Sequence, residues 1–576
     1  MAKTKAQEIR EHWQRFRRQV EETGELLRDR KMPELTEELF SLYEKTGNRL
    51  IYENEYFERR RFLAVFGLLS IWYERPEDIR KLEAVIKEIC KEETWALPAH
   101  VNRREADWQR TVDLFASETG QTLAQIVSML KGKLDGELAE QVRSLVIYRL
   151  LDSYMEKERG AWRWEAMANN WVAVCAGSLG SMALYLLQDE PEKQKRIIER
   201  VLDTLPDYLG GMCEDGACPE GLSYFTYGMV YYTGFARQLE EYTKGAVRLM
   251  EQEKVHRIAR FQQTCYLTEG ITVSFSDGNS RDRYRLGLTC YLAETVNGVE
   301  IPSLSAAMDF EDDHCYRFMG NYQDDCWVQR YLEKCEAEGE LSEGQETKQW
   351  FTLLPDAQWA VWKNDGIGMA LKGGHNGEPH NHNDVGSFLF AADGEVFLSD
   401  LGCGEYTKEY FADSTRYGLL CNRSLGHNVP ILNEQEQKCG REFGASRFEE
   451  KAAGCVCLEF GGVYGSDKKL IRTLNLQEGD DEFLLEDRFL EMEGQDSLQE
   501  NFVTQTEVTV SGNKIFLKGK KGSLILEAEG AGEIAVHEAN FRNHRGKDEI
   551  VRLIRFPVFS KKGQAACKVR GIYRAR

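Results

Sequence analysis

The period of the hydrophobic pattern changes once along the chain, near residue 335. Up to that point apolar residues recur at spacings of three and four, as in residues 8–27, 34–50, 76–92 and 192–209. This is the period of an amphipathic helix, so we predict a helical domain over residues 1–335. Many helix pairs joined by loops favour an α/α toroid or a helical array.

Beyond the change, apolar residues alternate with polar ones or form short runs between turn sequences. Residues 360–373, 386–402 and 507–530 carry such runs, separated by Asp-Gly, Ser-Gly-Asn and Gly-Lys-Lys-Gly turns, a pattern typical of antiparallel strands. We predict an antiparallel β-sandwich over residues 351–576. The polar stretch 336–350 is rich in Gly and Glu and is predicted to be a linker, so the fold class is multidomain α+β.

The chain is acidic, because 74 Lys and Arg against 95 Asp and Glu give a net charge of −21. This argues against non-specific nucleic-acid binding, which needs a basic face, but it allows a basic cleft for an anionic substrate. The first residues lack the apolar core of a secretory signal, so we expect a cytoplasmic protein whose 15 cysteines are reduced. The apolar run 171–187 fits a buried helix better than a membrane span.

Three stretches carry more polar chemistry than their predicted elements need. In the first, residues 168–186, Asn169 and Asn170 stand directly before a long apolar helix. An asparagine caps a helix well, yet one helix start needs only one cap. The second amide is therefore left to donate a hydrogen bond to a ligand.

The second stretch, residues 214–232, joins a loop with Gly and Pro to a tyrosine-rich helix. Tyr224 and Tyr227 are three residues apart and share a face of that helix. Aromatic packing is the usual role of such a pair. The adjoining loop favours a functional role, because loops held by a rigid scaffold often carry catalytic groups.

The third stretch, residues 377–388, reads GEPHNHNDVGSF. On a strand His380 and His382 would share a face, whereas in a bent loop they would diverge. Asp400 and His427 follow in later segments. With His382 they supply two imidazoles and one carboxylate, a set that suits zinc; the alternative is that they are separate core or surface groups.

Taken in order, the motifs NNWVAVCAGSLG, DGACPEGLSYFTYG, HNHNDVGSF with SDLG, and RSLGHNVP resemble the heparinase II/III-type polysaccharide lyases, and ALPAHVNRREADWQRTVDLFAS resembles that family's N-terminal domain. The resemblance implies an α/α toroid packed on an antiparallel β-sandwich, with the active site between them. It also implies a carbon–oxygen lyase that cleaves uronic-acid glycans by β-elimination and leaves unsaturated uronate products.

Elimination removes the C5 proton beside a carboxylate and pushes negative charge onto that carboxylate. The enzyme must supply donors for this charge, a base for the proton and an acid for the leaving oxygen at C4. The resemblance implies that Asn170 meets the carboxylate, with Asn169 as the competing choice. It implies Tyr224 as acid and base, with Tyr227 as the alternate. His380 is implied as a base or as a further partner of the carboxylate.

The resemblance implies no organic cofactor, but a structural zinc held by His382, Asp400 and His427. Further substrate-cleft residues that it implies are His100, Glu220, Arg416 and Tyr417; for Arg416 the alternative is an ordinary surface arginine. One position departs from the family pattern, because some members carry histidine near the Asn-Asn pair, where Trp171 stands here. This leaves asparagine as the neutralising group and leaves the uronate epimer open.

Two other classes of function compete with the lyase. A glycoside hydrolase would need two carboxylates about 5–10 Å apart, for which Asp215, Glu220 and Asp384 are candidates. A non-catalytic carbohydrate-binding protein would not need the asparagine, tyrosine and histidines together. The expected partner is an anionic uronic-acid oligosaccharide, of glycosaminoglycan type first and alginate or another bacterial uronan second. We expect neither nucleic acid nor membrane as a partner, and a homo-oligomer is compatible with the sequence.

Overall fold

The computed structural model describes residues 3–338, 349–494 and 496–576, and the chain groups into two compact units. The helical unit comprises Met1–Met212, Phe225–Ala259 and Arg283–Gly344, and the sheet unit comprises Cys213–Tyr224, Arg260–Asp282 and Gln345–Arg576. Two segments from the N-terminal half therefore belong to the sheet unit, so the two units are not separated at a single point in the chain, whereas the sequence predicted that they were. Of the predicted linker, residues 339–348 lie outside the described residues.

The helices that the sequence predicted in the N-terminal region are present. They are α1 (Lys5–Arg28), α2 (Glu37–Phe40), α3 (Leu42–Thr46), α4 (Leu50–Tyr73), α5 (Pro76–Cys90), α6 (Leu114–Met129), α7 (Gly136–Val146), α8 (Ser153–Glu156), α9 (Asn170–Leu186), α10 (Pro191–Gly210), α11 (Leu222–Tyr242), α12 (Glu253–Cys265), α13 (Leu286–Thr295) and α14 (Phe318–Glu338).

Helix α1 shows how the sequence sets these elements. Thr4 and Gln7 form a capping box, in which each side chain accepts a hydrogen bond from the other's backbone N–H, satisfying two donors that the helix start leaves open. Buried apolar residues then recur at three- and four-residue spacing, among them Ile9, Phe16 and Val20. One apolar stripe of α1 is thus available for packing, and it contacts α4 and α14.

Helix α9, which contains the apolar run, is buried on nearly all sides and packs between α6 and α10. A helix that is apolar all round belongs in a core, so the buried-helix interpretation is confirmed. None of the described helices combines the length and the apolar character that crossing a lipid bilayer requires.

The sheet unit contains antiparallel strands, the start of α11, the end of α12 and a further short helix, α15 (Asp413–Arg416). The strands are β1 (Tyr266–Thr268), β2 (Ile271–Thr272), β3 (Phe351–Leu354), β4 (Trp359–Asn364), β5 (Ile367–Lys372), β6 (His375–Asn376), β7 (Phe388–Ala392), β8 (Glu395–Leu398), β9 (Ile431–Leu432), β10 (Gly440–Gly444), β11 (Arg447–Ala452), β12 (Cys455–Glu459), β13 (Lys469–Leu476), β14 (Glu482–Leu490), β15 (Leu498–Thr504), β16 (Glu507–Ser511), β17 (Lys514–Lys518), β18 (Gly522–Glu529), β19 (Ala535–Arg542), β20 (Asp548–Pro557) and β21 (Ala565–Ala575).

Three sheets share one hydrophobic core. They have the strand orders β3-β4-β5-β7-β8, β11-β12-β13-β14-β21-β18-β17-β16 and β19-β20-β15-β9. Phe390, Leu474 and Phe502, one from each sheet, belong to the same buried cluster. The alternation of β13, where every second side chain is buried, matches the period of a strand with one face in a core.

Two features of this core hold the loops that carry the candidate site. Arg472 of β13 is fully buried, pairs with Asp487 at its register position on β14, and donates to the backbone oxygens of Gly386 and Asn428, each at 2.6 Å. Gly402, with φ of +62°, lies so close to Gly278 that a Cβ atom would stand 2.1 Å from its oxygen. Only glycine permits that approach.

Candidate active site

The centre of the candidate site in the sheet unit is a buried carboxylate, Asp277, in the loop after β2. Its Oδ2 accepts from His380 Nδ1 at 2.7 Å and from Tyr406 Oη at 2.9 Å. Its Oδ1 accepts from His382 Nε2 at 3.1 Å and from the Tyr410 hydroxyl. A buried charge needs such partners. Burial alone would raise the pKa of Asp277, but the hydrogen bonds from the histidines and the charge of Arg416 hold it well below its usual value.

The segment that carries the two histidines is a loop rather than a strand. His380 has φ of +54°, in the left-handed region, so the alternation of a strand does not apply. The two rings nevertheless converge, because His380 presents Nδ1 and His382 presents Nε2 to the two oxygens of Asp277. The loop geometry therefore separates the two nitrogens that do not face Asp277: Nε2 for His380 and Nδ1 for His382.

Tyr224 lies against this centre. Its ring stacks on His380 with centroids 4.5 Å apart and an interplanar angle of 25°. Its hydroxyl is hydrogen-bonded to that of Tyr406. Burial first, and then the charge of Asp277, raise the pKa of Tyr224 well above its usual value, so the resting side chain is a neutral phenol.

His380 keeps one nitrogen available. Its Nδ1 is held by Asp277, while Nε2 lies 3.5 Å from Glu220 Oε2. Burial would lower the pKa of His380, but the hydrogen bond and charge of Asp277, followed by the charge of Glu220, raise it overall. Glu220, implied for the substrate cleft, thus lies at this same centre.

Two of the three predicted metal-binding residues, His382 and His427, are brought together in a donor cluster that does not include Asp400. The donor atoms of His382, Asp384 and His427 all lie within 4.8 Å of one another, and all three residues are buried. Asp384 was not among the expected ligands. Asp400, which was expected, contacts His427, with 3.1 Å between Oδ2 and Nδ1. Burial alone would lower the pKa of His427, but Asp400 raises it.

Arg416 and Tyr417 both hold the backbone or side chain of Asn381. Arg416 is buried and donates through Nε and Nη2 to the backbone oxygen of Asn381, at 3.3 and 3.0 Å. Through Nη1 it donates to the backbone oxygen of Tyr410. Tyr417 donates to Asn381 Oδ1 at 2.9 Å. Arg416 is therefore not a surface arginine, and its described contacts stabilise the histidine loop.

In the helical unit the two asparagines have separate roles. Asn169 is the N-cap of α9, with Oδ1 accepting from Trp171 N at 3.1 Å. Asn170 is the first residue of the helix and is buried. His100 packs edge-on against Trp171, with ring centroids 4.8 Å apart, and its Nδ1 lies 2.7 Å from Asp113 Oδ2. This unit therefore places His100 beside the Asn-Asn-Trp segment.

Tyr227 is engaged differently from Tyr224. Its hydroxyl donates to Glu118, and Arg317 stands 4.2 Å from the centroid of its ring. Burial raises the pKa of Glu118 despite the arginine. Tyr227 thus takes part in a buried ionic cluster of the helical unit.

The carboxylates proposed for a hydrolase are largely committed to the scaffold. Asp215 accepts from the backbone N–H groups of Asp356 and Ala357, at 2.8 and 3.0 Å. Asp384 pairs with Lys372 at 2.8 Å, and both side chains are fully buried. Of the three candidates, Glu220 is the one found beside His380.

Sequence reasoning missed Asp277, Tyr406 and Tyr410. The signal for Asp277 was present, because an acidic residue followed by glycine ends the apolar run ITVSF. Its meaning depended on partners more than 100 positions away, such as His380. The two tyrosines carried no motif of their own.

Comparison with known proteins agrees with this description. Residues 347–570 match the family model described as Heparinase II/III-like, C-terminal. The comparison with curated proteins gave no match.

Solved structures with a similar fold include Heparinase III (13% identity, TM-score 0.60, covering 98% of this chain and 91% of that one). Heparan sulfate lyase HepC from Pedobacter heparinus is 12% identical, with a TM-score of 0.58 over 95% of this chain and 84% of that one. A Paenibacillus xanthan lyase is 9% identical, with a TM-score of 0.54 over 90% of this chain but 53% of that longer one. The motif resemblance is thereby confirmed over the C-terminal part of the chain, where residues 347–570 match the Heparinase II/III-like C-terminal model.

Proposed function

We propose that this protein is a lyase that cleaves uronic-acid-containing glycans by β-elimination, with glycosaminoglycan-type oligosaccharides as the favoured substrates. The observation that carries the proposal is the stacking of Tyr224 on His380, with both side chains tied to the buried Asp277. The family match and the fold support it. With it we propose that the helices form an α/α toroid and the sheets a β-sandwich.

His380 is the base in this proposal. Asp277 holds its Nδ1, so the neutral ring carries its hydrogen there and offers the lone pair of Nε2. This is how a carboxylate prepares a catalytic histidine in other enzymes. Freeing the base form of an imidazolium costs less than deprotonating a buried phenol whose pKa is raised, so His380 suits the C5 proton better than Tyr224 does.

Tyr224 is the acid, because it is neutral at rest and has one hydroxyl proton to give. When the C4–O4 bond breaks, the leaving oxygen takes that proton, and His380 Nε2 holds the proton from C5. The amide of Asn170 donates to the uronate carboxylate, where negative charge accumulates. Asn169 is already used as the helix cap, which favours Asn170 for this role.

A structural zinc is part of the proposal, and the donor atoms fit it. His382 directs Nε2 to Asp277, and His427 directs Nε2 to the Cys421 oxygen at 2.8 Å. Both rings therefore turn Nδ1 toward the common site, and among the residues that the structure describes His382 Nδ1 is buried without a hydrogen-bond partner. Zinc bound there would tie together the segments that carry these histidines, with Asp400 or Asp384 as the carboxylate ligand.

Labelling of the substrate at C5 tests the reaction class. We expect that a uronic oligosaccharide deuterated at C5 loses the deuterium as each bond is cleaved, since the C5 proton must leave in elimination. His380→Ala should abolish this loss. Retention of the deuterium in the cleaved product would exclude elimination and favour hydrolysis.

A further inference from the structure

Two tyrosines donate to the same buried carboxylate, and only one of them also contacts Tyr224 among the residues that the structure describes. We propose that Tyr406, anchored on Asp277, is a positioning residue for Tyr224 and stabilises the phenolate that Tyr224 becomes after giving up its proton. This inference rests on the proposed function and extends it to a residue that no motif marked.

The direction of the hydrogen bonds follows from counting hydrogens. The Tyr406 hydroxyl has one hydrogen and donates it to Asp277 Oδ2 at 2.9 Å. Its oxygen must therefore accept from Tyr224 in the resting state. The hydroxyl oxygen of Tyr224 is thus fixed at one end by Tyr406, while its ring is fixed by the stack on His380.

The same contact can reverse when the acid has acted. Once Tyr224 has delivered its proton to the leaving oxygen, its own oxygen is negative and can only accept. The Tyr406 hydroxyl can then turn its hydrogen from Asp277 to Tyr224. Asp277 keeps the donors His380, His382 and Tyr410, so the carboxylate remains well satisfied. A preorganised donor aimed at developing charge is an effective source of rate enhancement.

Tyr410 provides a matched comparison. It donates to the other oxygen of Asp277 and packs 5.0 Å from the Tyr406 ring, centroid to centroid. Within the described part of the chain no hydrogen bond joins Tyr410 to Tyr224. Tyr406→Phe and Tyr410→Phe therefore each remove one hydroxyl from Asp277, but only the first removes a partner of Tyr224.

Steady-state kinetics on a cleaved uronic oligosaccharide should separate the two hydroxyls. Tyr406→Phe is expected to lower kcat by roughly 10–100-fold with KM changed less than about twofold, because the lost interaction strengthens in the transition state. Tyr410→Phe is expected to lower kcat by less than about threefold. In a Tyr224→Phe background, adding Tyr406→Phe should lower the residual rate by no more than Tyr410→Phe lowers the wild-type rate, less than about threefold.

Three kinetic results would overturn the proposal: an unimpaired kcat in Tyr406→Phe, equal losses in the two single variants, or an additional loss in the double variant larger than the loss in Tyr410→Phe. Equal losses would show that both tyrosines act only through the charge of Asp277.

Crystal structures without substrate provide a readout that does not need activity. We expect the Tyr224 side chain to shift or to become disordered in Tyr406→Phe and to keep its position in Tyr410→Phe. An unchanged Tyr224 in Tyr406→Phe would refute the positioning role. If instead the structures behave as expected and the wild type forms no unsaturated product, the proposed function fails while the positioning role stands.

Discussion

At the scale of single residues, the site depends on one carboxylate that the motifs did not reveal. The sequence alone could identify the histidine loop, Asn169, Asn170 and Tyr224. Polar groups clustered in apolar surroundings must have hydrogen-bond partners or bind a ligand. Asp277 could not be identified in this way, since its partners are distant in the chain. Residue types thus predicted the candidate chemistry, whereas the contacts that orient each group required the fold.

The asparagine pair allows a direct test of divided roles. Asn169→Ala removes the cap of α9 and should cost about 1 kcal/mol of stability, with catalysis largely kept. Asn170→Ala should lower kcat by at least about 100-fold, because it removes the proposed donor to the uronate carboxylate. Thermal unfolding and kinetics of both variants are the measurements. An active Asn170→Ala enzyme, with activity lost in Asn169→Ala, would reverse the assignment.

At the scale of elements, strand periodicity described the sheets but failed for the histidine loop. Alternating patterns located strands such as β13, where one face is buried. For His380 and His382 the sequence left a strand and a bent loop open; the segment is a loop that turns through a left-handed residue, yet both rings meet at Asp277. The loop is instead held by buried polar contacts, and those are not visible in a pattern of apolar spacing.

The contact between Glu378 and Lys372 predicts that the stability of the folded protein depends on pH. The Glu378 side chain, 11% exposed, lies 3.7 Å from Lys372 Nζ, and burial raises its pKa to about 7 despite the lysine. The folded-state pKa is thus above the unfolded one, so the stability contributed by this group is present below about pH 4.5 and is lost as the pH rises through about 7. Glu378→Gln cannot ionise and should gain about 1–3 kcal/mol over the wild type between pH 4.5 and 8.

Urea unfolding at several pH values measures this gain. Glu449→Gln is a suitable control. The Glu449 side chain is 38% exposed and pairs with Arg447 and Lys451, and hydrogen bonds from these two residues lower its pKa to about 2. The control should show no gain at high pH. A constant difference between Glu378→Gln and the wild type over the whole range would contradict the proposed ionisation.

Zinc bound at the proposed site would join separate segments of the sheet unit, so its effect on thermal stability tests the site. Zinc should raise the melting temperature of the wild type, and a chelator should reverse the rise. His382→Ala should lose this response, whereas His375→Ala, outside the donor cluster, should keep it. Zinc affinity should fall as the pH drops, since His427 must give up a proton to bind. An equal zinc response in His382→Ala and the wild type would refute the site.

At the scale of the whole molecule, the single change of hydrophobic period correctly separated a helical N-terminal region from antiparallel sheets. It did not foresee that residues 213–224 and 260–282 belong to the sheet unit. Those segments supply Tyr224, Glu220 and Asp277 to the candidate site. Local periodicity reports which face of an element is buried, but not which distant element buries it, so this assignment needed the three-dimensional structure.

The central claim is that the whole molecule performs an elimination, and the mass of its products tests this most directly. Wild type, Tyr224→Phe and Tyr227→Phe would be incubated with a panel of uronic oligosaccharides, and the products read by mass spectrometry and ultraviolet absorbance. We expect fragments whose masses sum to that of the substrate, with one absorbing double bond per cleavage. Tyr224→Phe should be slower by roughly 10²–10⁴-fold, and Tyr227→Phe much less impaired. Fragments that together carry one added water per cleaved bond, without the new absorbance, would contradict the account.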